Sequence, residues 1–163
     1  MSTLDNLMSA FAGESQANRK YLAFAKKAEA EGYHAAAKMF KAAAEAETIH
    51  AHTHLNAAEG VKSTEENLKA AVSGETFEFE KMYPPFLEEA KKEGNKKATL
   101  SFTYAMAAEK VHADLFQEVL SNLSKDDTTE FYLCPVCGYV HKNGTPNACP
   151  ICSTAGSKFI KID

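Results

Sequence analysis

The sequence predicts a mainly α protein, an antiparallel four-helix bundle over residues 1–123, with a small β module at residues 131–163. Three observations predict it. Apolar residues recur at three–four spacing through four long segments that end at Leu123. Residues 124–130 (Ser-Lys-Asp-Asp-Thr-Thr-Glu) are polar and aperiodic, as a linker is. Beyond them, short β-prone pieces alternate with turn residues and all four cysteines.

The first helix carries Leu4, Leu7, Phe11, Glu14, Asn18, Tyr21, Ala25 and Ala28 on one face, and Gly32 offers a left-handed cap. The second aligns Ala36, Phe40, Ala43, Glu47, His50, His54 and Ala57, with Gly60 as its stop. Ser63-x-x-Glu66 has capping-box form and opens the third, whose face runs Leu68, Ala71, Glu75, Glu78, Met82 and Phe86 to a close at Gly94-Asn95. Pro84-Pro85 interrupts it and predicts a kink or bulge, because a proline inside a helix costs about 3 kcal/mol. The fourth helix aligns Phe102, Ala105, Glu109, His112, Phe116, Val119 and Leu123.

The helical half repeats itself. Gly13-Glu14-Ser15 returns as Gly74-Glu75-Thr76, and Ala46-Glu47-x-Ile49-His50-Ala51 returns as Ala108-Glu109-x-Val111-His112-Ala113. Glu14 and Glu47 are 33 residues apart, and Glu75 and Glu109 are 34 apart. The bundle therefore reads as two helix pairs related by a pseudo-two-fold axis.

Composition narrows the function. A formal charge of −4 with Lys and Glu intermixed leaves no basic stripe for nucleic acid. No apolar run reaches the roughly 18 residues of a membrane span, and the N-terminus lacks signal-peptide character. A cytoplasmic, reducing setting is the expectation, and there clustered cysteines favour a metal over disulfides.

Charged residues occupy the core stripe. Glu14, Glu47, Glu75, Glu78 and Glu109 stand where the pattern calls for leucine, and each carboxylate buried alone would cost several kcal/mol. Two bound cations would neutralise them. A carboxylate-bridged di-iron site takes one Glu from each of two helices and a Glu-x-x-His pair from each of two others. Glu14 and Glu75 are the single carboxylates; Glu47-x-x-His50 and Glu109-x-x-His112 are the pairs, with Glu47 and Glu109 the natural bridges. The i, i+3 spacing sets each Glu and His on one face. Glu78, whose counterpart in the first repeat is Ala17, is a seventh candidate ligand that would compete with His50 for one iron as its oxidation state changes. Tyr21 and Tyr83 fall close to the ligand face, as hydrogen-bond partners of the carboxylates or as aromatic core. His34, His52, His54 and His141 read as surface or bundle-end residues.

Cys134-Pro-Val-Cys137-Gly138 and Cys149-Pro-Ile-Cys152 are two Cys-x-x-Cys knuckles separated by eleven residues. Together they complete a tetrahedral all-sulfur shell, which by ligand type suits iron or zinc equally.

The order Glu…Glu-x-x-His…Glu-x-x-Glu…Glu-x-x-His, followed by doubled Cys-x-x-Cys, resembles the rubrerythrin family over nearly the whole chain. The resemblance implies a ferritin-like bundle with an oxygen-bridged di-iron (Fe–O–Fe) centre on Glu14, Glu47, His50, Glu75, Glu78, Glu109 and His112. It further implies a rubredoxin-like domain with one iron on Cys134, Cys137, Cys149 and Cys152, zinc being the substitute ion. The implied activity is reduction of hydrogen peroxide to water in oxidative-stress protection, with electrons from a reductase or rubredoxin entering through the cysteine-bound iron. The seven-residue linker spans at most about 25 Å, so folding the module back along its own bundle is possible but constrained. A head-to-tail homodimer would instead place that iron beside a partner's di-iron site, as the resemblance also implies. The rival readings are a ferroxidase or iron-storage protein, and a zinc-ribbon interaction module on a helical scaffold. Two departures stand out: Ser153 follows the fourth cysteine where glycine is usual, and Pro85 doubles the proline of the third helix.

Overall fold

The computed structural model describes residues 2–163. The chain is mainly helical with a small C-terminal antiparallel sheet, and it divides into two compact units, Met1–Lys62 and Ser63–Asp163.

The first unit is a helical hairpin of α1 (Thr3–Ala30) and α2 (His34–Ala57). Ser2 caps α1 in a reciprocal box with Asp5, a local signal that the helical periodicity does not carry. The helix ends as expected at Gly32, whose φ of 81° allows the Gly32 amide to reach Glu29 and the Tyr33 amide to reach Ala28. The seam between α1 and α2 buries Ala25, Ala28, Ala37, Ala44 and Ala51, small side chains that let the two backbones approach closely. Asn18 ties the helices across that seam by donating to the Ala44 carbonyl (2.7 Å) and to the Thr48 hydroxyl (2.9 Å). At the end of α2 the residue in the left-handed region is Glu59 (φ 53°), not Gly60. Gly60 is needed for space: a Cβ there would stand 2.3 Å from the Leu55 side chain.

The second unit opens with α3 (Thr64–Phe77), capped by the expected Ser63–Glu66 box. The expected disturbance at Pro84-Pro85 is a π turn over Glu78–Met82, after which α4 (Tyr83–Lys92) carries both prolines in its first turn. There a missing N–H costs little. A π turn is a one-residue insertion in an α-helix, and the internal repeat locates it. Tyr83, Phe86, Phe102, Glu109 and His112 each follow Tyr21, Phe24, Phe40, Glu47 and His50 by 62 positions, whereas Glu75 follows Glu14 by 61. The extra residue lies between Glu75 and Tyr83, where the helix widens. Gly94 (φ 68°) ends α4, and Asn95 caps α5 (Lys96–Ser121) by accepting from the Ala98 amide.

After α5 the chain runs without regular structure to β1 (Phe131–Leu133), the centre of a three-stranded antiparallel sheet ordered β2-β1-β3. Tyr132 is paired with His141 of β2 (Val140–Lys142) and with Lys161 of β3 (Ile160–Ile162). The cysteine module belongs to the same compact unit as α3–α5, and a Lys142–Glu118 ion pair joins it to α5. Among the described residues, no helix is long and apolar enough to cross a membrane.

Candidate metal centres

The first unit gathers Glu14 from α1 with Glu47 and His50 from α2, each offering a ligand atom within 4.8 Å of the others. Nδ1 of His50 is 2.9 Å from Glu47 Oε2. One helical turn separates the pair on α2, and the alanine seam brings α1 close enough for Glu14 to join them.

The second unit repeats the arrangement with Glu75 from α3 and with Glu109 and His112 from α5, again within 4.8 Å. Nδ1 of His112 is 2.7 Å from Glu109 Oε2 and 3.8 Å from Glu75 Oε2. Its Nε2 lies 2.8 Å from the carbonyl oxygen of Gly138. A carbonyl only accepts, so Nε2 carries a proton and Nδ1 is the nitrogen that faces the two carboxyl groups. An imidazole held in this way by a backbone carbonyl has the orientation that a metal-binding histidine takes. Burial raises the Glu75 carboxyl above the usual carboxylate range, and a hydrogen bond shared with Glu109 raises it further. These donors are hard oxygens and imidazole nitrogens, a set suited to iron.

Glu78 stands outside this cluster, at the first position of the π turn. Its carboxyl is raised by burial and then by the charge of Glu75. Tyr83 is near the same carboxylates, its hydroxyl pushed up by burial and by Glu109, Glu78 and Glu75. Its ring packs with Phe86 and Phe102, just as Tyr21 packs with Phe24 and Phe40. An apolar cleft of about 400 Å³, lined by Leu68, Leu115, Phe116 and Val119 together with Glu75 and His112, opens beside the second cluster. Of the remaining histidines, His34 and His52 are exposed and His54 is half-buried. His141, expected at the surface, is half-buried against Tyr139.

The four cysteines form a closed sulfur cage. Cys134 and Cys152 sulfurs are 3.6 Å apart, and those of Cys137 and Cys149 are 3.4 Å apart. A tetrahedral ion with metal–sulfur bonds of about 2.3 Å spaces its ligands by about 3.8 Å, so the cage fits with small adjustment. The two knuckles share one backbone plan. Gly138 and Ser153 both take positive φ (81° and 61°), and the amides of Cys134 and Cys149 donate to the carbonyls of Tyr139 and Thr154. Burial pushes the Cys137 thiol up. Burial also pushes Cys152 up, but hydrogen bonds from the Thr154 hydroxyl and amide and from neighbouring cysteines outweigh it and bring that thiol down to about 6. A metal does the same for the whole set, since only thiolates bind it.

Comparisons with known proteins cover both the helical part of the chain and the cysteine module. A profile of the rubrerythrin family matches residues 5–120, and one for the rubrerythrin rubredoxin-like domain matches residues 132–160. The chain belongs to the rubrerythrin family. It is 41% identical to nigerythrin of Nitratidesulfovibrio vulgaris, over 93% of this chain and 82% of that protein. Identity to rubrerythrin-2 of Clostridium acetobutylicum is 36%, over 96% and 95% of the two chains. Among solved structures it is similar to nigerythrin in the fully reduced, all-ferrous state, with a TM-score of 0.61 at 38% identity, covering 99% of this chain and 87% of that one. The ferritin-like helical fold, a di-iron centre and the rubredoxin-like site on Cys134, Cys137, Cys149 and Cys152 follow from this membership.

The contact that sequence reasoning misses is the one between His112 and Gly138. The only signal in the sequence is the glycine after Cys137, and nothing in its spacing names a partner on α5.

Proposed function

We propose that this rubrerythrin-family protein reduces hydrogen peroxide to two waters, taking two electrons and two protons per peroxide, with electrons entering through the four-cysteine site. The observation that carries the reading is the 2.8 Å contact between His112 Nε2 and the Gly138 carbonyl. Gly138 is bonded to Cys137, so a short covalent and hydrogen-bonded path runs from a cage sulfur to an imidazole of the carboxylate cluster. An iron-storage protein has no use for such a path. A zinc-ribbon module has no use for the carboxylates.

In this reading Glu14, Glu47 and His50 hold one half of the di-iron ligand set, and Glu75, Glu109 and His112 hold the other. When bound there, a pair of ferrous ions would supply the two electrons, one from each, that O–O cleavage requires. The protein's own groups do the positioning. Gly138 fixes the tautomer of His112 so that Nδ1 faces the metal position, and the paired carboxylates Glu75 and Glu109 hold a divalent charge in a partly apolar setting. Glu78 begins the π turn one helical turn from Glu75, where an extra residue gives its backbone freedom to swing a carboxylate toward or away from the cluster. Domain boundaries at residues 124–130, a rubredoxin or reductase as donor, and a homodimer complete the proposal.

The test uses the whole protein assembled anaerobically with ferrous iron. About three irons per chain are expected, and peroxide should drive oxidation of a supplied reductase. Cys137→Ser should keep two irons, lose the red ferric-thiolate colour and lose at least tenfold in relayed turnover. Rapid oxidation of added Fe(II) by oxygen with retention of a ferric core, and no turnover with peroxide, would establish the storage reading instead.

A further inference from the structure

The two cysteine knuckles share a backbone but differ in the residues after the second cysteine. In the first, Cys137-Gly138-Tyr139, the tyrosine turns its ring to Phe159 at 6.3 Å between centroids. In the second, Cys152-Ser153-Thr154, the Thr154 hydroxyl lies 3.1 Å from the Cys152 sulfur. Thr154 is held there from both sides. Its carbonyl accepts from the Cys149 amide at 2.7 Å, and Ala155 bridges to Ala148. Once the sulfur is a metal-bound thiolate it has no proton to give, and the hydroxyl becomes the donor.

We propose that Thr154 raises the reduction potential of the four-cysteine iron by donating this hydrogen bond to the Cys152 thiolate. Four thiolates around a ferric ion carry a net charge of −1, and one electron takes the cage to −2 with no bond made or broken. A hydrogen bond to sulfur stabilises the more negative state more, so it favours the ferrous form. This role of Thr154 rests on iron in the cysteine cage and not on peroxide chemistry.

The experiment is a spectroelectrochemical titration of the red ferric absorption in the full-length, iron-loaded protein, run without peroxide. Thr154→Val keeps the shape and removes the hydroxyl. It should shift the one-electron equilibrium toward ferric by roughly three- to tenfold, about 28 to 59 mV lower in midpoint. The thiolate-to-iron absorption band should move to lower energy. Thr154→Ser, which keeps the donor, should restore both. An unchanged midpoint in the valine variant, or a serine variant that behaves like valine, would overturn the proposal. Thr154→Ala guards against a packing artefact and should match valine. If both valine and alanine variants fail to hold the cysteine-bound iron, Thr154 is a folding requirement of the knuckle and the proposal is equally overturned.

Discussion

The Gly138 carbonyl lies 2.8 Å from Nε2 of His112, within one chain and one compact unit. From sequence, the cysteine module is expected to serve a partner's site, because a module placed beyond the bundle end would be too far from its own. Packing of the module on α5 removes that requirement. Distance alone no longer demands that electrons pass between chains.

This contact yields a complementation prediction. A Cys137→Ser chain keeps His112 and its carboxylates but has no relay. A Glu109→Ala chain keeps the relay but has damaged carboxylates beside it. Mixed and co-refolded, the two should stay inactive with a donor that reduces only the cysteine-bound iron. Recovery of a substantial fraction of wild-type turnover would mean that electrons cross between chains.

The π turn gives a second prediction. Deleting Glu80, an exposed residue within it, makes the repeat spacing uniform and forces Pro84 into an unbroken α-helix. There the proline loses an i→i−4 hydrogen bond and clashes with the preceding turn, costing about 3 kcal/mol. Urea unfolding of the metal-free protein measures this as a lower midpoint. An unchanged midpoint would show that the insertion does not accommodate the prolines.

Glu75 contributes to the pH dependence of the metal-free protein. Its folded carboxyl titrates above the unfolded value, through burial first and the Glu109 hydrogen bond second. As pH rises past the ordinary glutamate pKa of about 4.3, Glu75 ionises in the unfolded chain while the folded chain keeps its proton. The folded state then binds more protons, so stability falls with rising pH until the folded carboxyl also ionises. Glu75→Gln should flatten this part of the profile. Thermal melts of both proteins between pH 4 and pH 8 provide the comparison, and parallel curves would exclude the effect.

Gly156 offers a test of the cage. A Cβ at this position would stand 1.7 Å from the Pro146 carbonyl oxygen, backbone that cannot move aside cheaply. Gly156→Ala should therefore open the cysteine module, reducing bound iron from about three to about two per chain and removing the red colour. The far-ultraviolet helical signal should be nearly unchanged. A variant that stays red with full iron would show that the chain around Pro146 is more yielding than its packing implies.

Local and periodic features were legible in the order of residues alone. Three–four spacing set the helices, because a helix must bury one face. Glycine and capping boxes set most of their ends, because orphan amides and carbonyls need partners. Carboxylates in the apolar stripe and doubled Cys-x-x-Cys identified metal chemistry, because neither charge nor thiolate belongs in a core without a cation. The one-residue mismatch between 33 and 34 was also written there, and it takes its meaning from the π turn at Glu78–Met82. Tertiary structure decided what depends on approach between distant segments. Ser153 and Glu59 adopt left-handed backbone because their surroundings fix them, against local preference. Thr154 meets Cys152 because the knuckle holds it there. Gly138 meets His112, twenty-six positions away in the chain, because the cysteine module packs on α5, and no periodicity encodes a contact between a carbonyl and a ring nitrogen.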